Sequence, residues 1–116
     1  IALTNPSLAD FEEYLDVLAI GDNLLHDWGY SGTYQLASFH PDYVFDGSDF
    51  NDAENYTNRS PYPLLHLIRE ADITRYMKKE EDAEKIFSRN IEKAQALGCP
   101  YFENALEVIK KDKPAK

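Results

Sequence analysis

QLASFHPDYVFDGSDFNDAENYTNRSPYPLLHLIRE, residues 35–70, is the stretch whose reading decides the fold. With Thr33 and Tyr34 in front, its opening alternates loosely between polar and apolar side chains and lies between a glycine turn at 29–32 and Pro41. That pattern predicts a strand over 33–39, buried on both faces. Pro41 stops it and leaves His40 and Asp42 at its carboxyl end, where ligands sit in open α/β sheets. Residues 46–62 have no apolar period and are long for a connection, which marks a functional or disordered loop. Phe50, Tyr56 and Tyr62 argue for order, since disordered segments are poor in aromatics. The run LLHLIR at 64–69 reads in two ways. It is a strand feeding a helix capped by Asp72, or a helix begun at Ser60-Pro61, and period alone does not separate them.

Upstream, Ser7 is a candidate N-cap with Asp10 three residues on, and Pro6 blocks an earlier start. Leu8, Phe11, Leu15, Leu18 and Leu25, widened by Tyr14, Val17, Leu24 and Trp28, form an apolar stripe over a helix at 8–27 closed by Gly29. Trp28 is expected in the core and His26 as an exposed cation at the helix end. Ile1, Ala2 and Leu3 read as the end of a strand, so the chain is expected to begin inside a longer polypeptide. Strand, helix and strand with short links make a βαβ unit, whose crossover should be right-handed. Downstream, Ile73, Tyr76 and Met77 are expected inward, followed by a charged break at 78–82. A second stripe of Ala83, Ile86, Phe87, Ile91, Ala94 and Leu97 ends at Gly98, and Phe102, Ala105, Leu106 and Ile109 mark a last helix ending near Pro114. The expected architecture is α/β: a βαβ core with C-terminal helices, belonging to a larger α/β sandwich. It divides into one α/β domain at 1–98, lacking an upstream half, and a helix with a basic tail at 99–116.

The chain has 116 residues and 13.3 kDa, 43% hydrophobic and 28% charged, within the range of a single globular domain. A net charge of −9 repels phosphate backbones, so no nucleic-acid partner is expected. The basic cluster Lys110, Lys111, Lys113 and Lys116 reads as a solvated end. The lone Cys99, in a helix-to-helix turn, makes no internal disulfide and fits a reducing compartment. The absence of a long apolar run leaves no membrane span. The expected location is intracellular, in the cytoplasm or an organelle matrix.

The polar residues that could carry chemistry are His40, Asp42, Tyr43, Asp52, Glu54, Asn55, Asn58, Arg59, Ser60, His66, Arg69 and Glu70. Three readings compete. Imidazole and carboxylate suit zinc, manganese or iron, but His-Pro-Asp is no recognised ligand spacing, and no metal is assigned. Alternatively, Arg59 and Arg69 supply bidentate donors, the Ser60-Pro61 turn presents N–H groups, and His40 or His66 moves protons beside a carboxylate. Such a site takes a small polar or anionic ligand held by His40, Asp42, Asn55, Asn58, Arg59, Ser60, His66 and Arg69. In the third reading these side chains hold their own loop through Asx turns, caps and an arginine bridge. No nucleophile motif occurs and Ser38 and Ser60 lack a base, so neither a catalytic residue nor a cofactor is assigned. The acceptor patterns at Asn55-Tyr56-Thr57 and Asn58-Arg59-Ser60 are read as coincidence. The alternative function, from another class, is a non-catalytic interaction or accessory subunit of a larger assembly.

The words QLASFHPDY (35–43), DAENYTNRSPYP (52–63), LHL (65–67) and REA (69–71) closely resemble a mostly bacterial family, domain of unknown function 1415. Phe11, Leu15-Asp16-Val17, Arg89-Asn90-Ile91 and Leu97-Gly98 add to the likeness, which runs from about residue 3 to 98. The resemblance implies no activity. It implies an upstream half with a helix bearing a Cys-Pro-Phe word and a further strand-helix pair, of which Cys99-Pro100 is not the counterpart. The break at 78–82 and the tail after Gly98 look particular to this sequence.

Overall fold

A computed structural model describes residues 1–77 and 80–111. Residues 78 and 79 of the charged break, and the tail from 112 onward, lie outside them.

Two caps compete at the start of the first helix. Asn5 accepts through Oδ1 from the backbone N–H and the hydroxyl of Ser7, both at 3.0 Å, and heads a short 3-10 turn, Pro6–Ala9. Asp10 then accepts from the N–H groups of Glu12 at 2.9 Å and Glu13 at 3.3 Å and starts helix α1, Phe11–Asp27. The helix therefore begins later than the Ser7 reading expected, with Asp10 as its cap. Gly29, at φ +81°, reverses the chain behind it.

Strand β1, Tyr34–Phe39, pairs antiparallel with β2, Leu64–Arg69, in a register running from Tyr34↔Arg69 to Phe39↔Leu64. The ambiguous run LLHLIR is thus a strand, and Ser60-Pro61 starts no helix. On the other edge of β2, Ala2 bridges Leu64 in antiparallel sense, flanked by Leu65 N–H to Ile1 C=O and Leu3 N–H to Pro63 C=O, both 2.9 Å. Both neighbours of β2 oppose its direction, so Ile1, Ala2 and Leu3 run the same way as β1. The sheet has two antiparallel strands, with Ile1, Ala2 and Leu3 joined to it by a single bridge rather than as a third strand, and the chain is mixed α/β.

Helix α1 lies across one face of β1. A Cβ on Gly21 would come within 2.7 Å of Leu36 Cδ1, so glycine permits this approach. Seventeen helical residues span about 25 Å, whereas six strand residues span about 20 Å. The last turn of α1 overhangs the sheet, and Trp28, expected in the core, is 70% exposed. His26 is exposed as expected, 3.2 Å from the Ser31 hydroxyl. β1 itself is only half buried, with Gln35 exposed, because one face alone is covered.

Helix α2, Glu70–Tyr76, follows β2 directly, with Arg69 rather than Asp72 at its cap position. Tyr76, expected inward, is 80% exposed. Helices α3, Glu80–Leu97, and α4, Cys99–Lys111, turn on Gly98 at φ +80° and both pack on a 3-10 turn, Ala53–Asn58. Their anchors are buried Ala94, Phe102 stacked on Tyr56 at 5.1 Å, and Phe87 edge-on to Phe45 at 6.3 Å. Among the described residues Tyr14, Leu65 and Ala94 are buried, with Pro63 buried at the entry to β2.

Candidate functional site

His40 leaves the carboxyl end of β1 and turns inward. Its ring is completely buried between Phe11, at 5.2 Å, and Tyr14, at 4.9 Å. Nε2 lies 2.8 Å from the Leu8 carbonyl, and Nδ1 accepts from the Asp42 N–H at 2.9 Å. A carbonyl only accepts and an amide only donates, so the ring is the tautomer protonated on Nε2. Both nitrogens are occupied. The Asp42 side chain is exposed.

The loop behind it is organised by two polar side chains turned into its own backbone. Asn55 is completely buried. Its Oδ1 accepts from Phe45 N–H at 3.0 Å and its Nδ2 donates to Asp49 C=O at 2.7 Å. Arg59 donates from Nε to Tyr43 C=O at 3.0 Å and from its terminal nitrogen to Phe50 C=O at 2.7 Å. The guanidinium also lies 4.5 Å from the ring centres of both Phe50 and Tyr56. Burial pushes the Tyr56 phenol above its usual 10.0, with Glu103 adding to the effect and Arg59 opposing it. Asn58 closes the outer edge of β1: its Nδ2 donates to Ser38 C=O at 3.0 Å and its C=O accepts from His40 N–H at 3.1 Å. Buried Ser60 donates to Tyr62 C=O. Asp52 accepts from Asp49 N–H at 3.0 Å, and Glu54 from Gln95 at 3.3 Å on α3.

The eight residues expected to hold a ligand therefore fall into two sets. His40, Asn55, Asn58, Arg59 and Ser60 are built into the loop by hydrogen bonds to its own backbone and flanks. Asp42, His66 and Arg69 are exposed, with His66 opposite Ala37 in the middle of the sheet and Arg69 at its far end. Among the described residues no group of three His, Cys, Asp or Glu side chains is placed to hold a metal ion. Buried Asn55 is also out of reach of a glycan, which agrees with reading its acceptor pattern as coincidence.

Substituting Arg59→Lys separates charge from geometry. Lysine keeps the positive charge but loses the planar fork between two rings, and a stability loss of about 1–3 kcal/mol is expected in urea titration. Unchanged stability would show that the loop does not depend on the two carbonyl contacts.

Sequence reasoning missed one residue that ties these parts together. The Tyr14 hydroxyl accepts from Phe39 N–H at 3.0 Å and donates to Leu64 C=O at 2.7 Å. Those two backbone groups face each other in the β1–β2 register, so the phenol is inserted into the last rung of the ladder. The available signal was a tyrosine on the apolar stripe, since a buried phenol needs a polar partner.

A cleft of about 420 Å³ beside the sheet is lined by Ala2, Leu3, Pro6, Ala9, Tyr62 and Pro63 with Thr4 and Asn5. No helix among the described residues is long and apolar enough to cross a membrane. Residues 1–104 match a family model described as protein of unknown function (DUF1415). No curated protein and no solved structure matches the chain.

Proposed function

We propose that this chain, which belongs to the DUF1415 family, is a non-catalytic interaction module whose apolar faces are covered by another polypeptide. The observation that carries this reading is the apolar surface left uncovered. Ile20, Leu24 and Trp28 lie along one flank of α1 with exposures of 59%, 42% and 70%. Tyr101, Val108 and Ile109 lie along α4 at 55%, 60% and 54%. The accessible surface of the 13.3 kDa chain is 8778 Å², against roughly 6,450 Å² from the scaling of folded monomers.

A small-molecule site at His40 and Arg59 is less favoured on energetic grounds. A ligand there would displace hydrogen bonds that are already made, and an orphaned buried polar group costs about 1–3 kcal/mol.

The purified chain is expected to bind the dye ANS and to self-associate, with a mass above 13.3 kDa in light scattering. The double substitution Ile20→Lys with Trp28→Lys should reduce both signals while changing unfolding free energy by less than about 0.5 kcal/mol. A monodisperse monomer that binds no ANS, or a double variant that fails to fold, would overturn the reading.

A further inference from the structure

Where α3 turns into α4, beside the 3-10 turn Ala53–Asn58, the surface is hollowed to a volume of about 250 Å³. Sites for small ligands and cofactors run to roughly 300–1,000 Å³, so this hollow is of a size for one large side chain. Its floor is apolar and held in place. Ala94 is buried, and Phe102 stacks on Tyr56 at 5.1 Å and meets the Tyr101 ring edge-on at 5.3 Å. Leu97 and Tyr101 are exposed walls, and Thr57, Asn90 and Lys93 complete the lining. Lys93 is the one charged side chain among these lining residues, on a chain of net charge −9. An aromatic side chain with a carboxylate beside it therefore complements the hollow in both size and charge.

The same chain carries such a pair. Trp28 stands where the last turn of α1 overhangs the sheet and is 70% exposed, and Asp27 beside it is exposed as well. The other exposed aromatics fit less well. Tyr76 follows Arg75, a like charge for Lys93, and Phe50, which follows Asp49, is already engaged by the Arg59 guanidinium at 4.5 Å. We propose that Trp28 of one copy inserts into the α3–α4 hollow of a second copy, with Asp27 set against Lys93, reciprocally in a two-fold dimer. This rests on the interaction reading above and names the second polypeptide as another copy of this chain. A two-fold axis makes both contacts identical, so each indole and each hollow is used once and the assembly closes. The buried indole supplies the affinity, since tryptophan in a partner's pocket is among the side chains that carry most binding energy. The Asp27–Lys93 pair at the rim sets the register. Trp28 shares its flank of α1 with Ile20 and Leu24, and Tyr101 shares its flank of α4 with Val108 and Ile109, so the contact can spread over surface that is already apolar.

Trp28 is the chain's only tryptophan, so its fluorescence reads the contact directly. As the concentration of the full chain rises, its emission is expected to shift to shorter wavelength and acrylamide quenching to fall, in step with a doubling of mass from 13.3 kDa. Asp27→Lys and Lys93→Glu each set like charges together at both contacts and should raise the dimer dissociation constant about fivefold or more. Both side chains are exposed, so each variant should keep the wild-type unfolding midpoint. An equimolar mixture of the two variants should recover the dimer, because both contacts in the mixed dimer again pair opposite charges. Emission that stays fixed while the mass doubles would overturn the proposal and leave the interaction reading standing on another surface. Single variants that dimerise like wild type, or a mixture no stronger than its components, would also overturn it. A chain that stays monomeric yet binds ANS overturns it in favour of a different polypeptide, whereas a monomer that binds no ANS removes the interaction reading as well.

Discussion

Tyr14→Phe is expected to lower the unfolding free energy by about 2–4 kcal/mol, although it removes a single oxygen atom. The hydroxyl bonds two facing backbone groups, Phe39 N–H at 3.0 Å and Leu64 C=O at 2.7 Å. Removing it leaves a donor and an acceptor in a partly buried place, separated by the gap the oxygen filled. They can repair the loss only if the strand ends close, which Phe at position 14 resists because its ring still occupies the space. Marginal stability makes the effect large: 116 residues imply a total of roughly 6–17 kcal/mol. The measurement is urea unfolding with the m-value held constant, and a midpoint shift worth less than about 0.5 kcal/mol would show that the rung is dispensable.

The same phenol gives a pH signature. Burial raises the Tyr14 pKa above its usual 10.0; the bond from Phe39 pulls it partly back, and Tyr43 pushes it further up. Ionisation is thus harder in the folded than in the unfolded state. The contribution is complete below the unfolded value of 10.0 and is lost as pH rises through the higher folded value. Wild-type protein should lose stability in that alkaline window more steeply than Tyr14→Phe. Tyr56, also raised, contributes equally in both proteins and cancels from the comparison.

What could be read from the sequence depended on the range of the interaction. β1 was legible because Pro41 and the glycine turn bound it locally. Helix α1 was legible by period, yet its start slipped because Asn5 and Asp10 are both competent caps and only the backbone shows which one heads the α-helix. LLHLIR could not be assigned because its state is settled by a partner strand some thirty residues away, a tertiary effect with no local trace. Trp28 fits the stripe, but periodicity carries no information about how long the sheet beneath the helix is. The polar loop was identifiable as a cluster of the right residue types. Its partners were not, because Asn55 and Arg59 bond main-chain groups, which every residue carries and no side-chain pattern reveals. The exposure of the apolar faces of α1 and α4 was not legible, because periodicity marks a stripe and not what covers it.

His40→Ala carries the second large effect. Truncation removes a ring packed between Phe11 and Tyr14 and leaves a cavity, for which aromatic-to-alanine changes cost about 3–5 kcal/mol. It also strips the Leu8 carbonyl and the Asp42 N–H of their partners. Leu8 belongs to the turn before α1 and Asp42 to the loop after β1, so the ring joins two segments far apart in the chain. His40→Asn distinguishes this role from simple volume. Its Oδ1 can take the place of Nδ1 and keep the Asp42 bond, while the Leu8 bond is lost, so a destabilisation between wild type and alanine is expected. A ligand-binding histidine behaves differently, since its removal lowers stability only when ligand is present. Thermal unfolding of the ligand-free protein therefore decides the role of His40. An alanine variant that melts within a degree of wild type would return the ring to the list of groups free to bind.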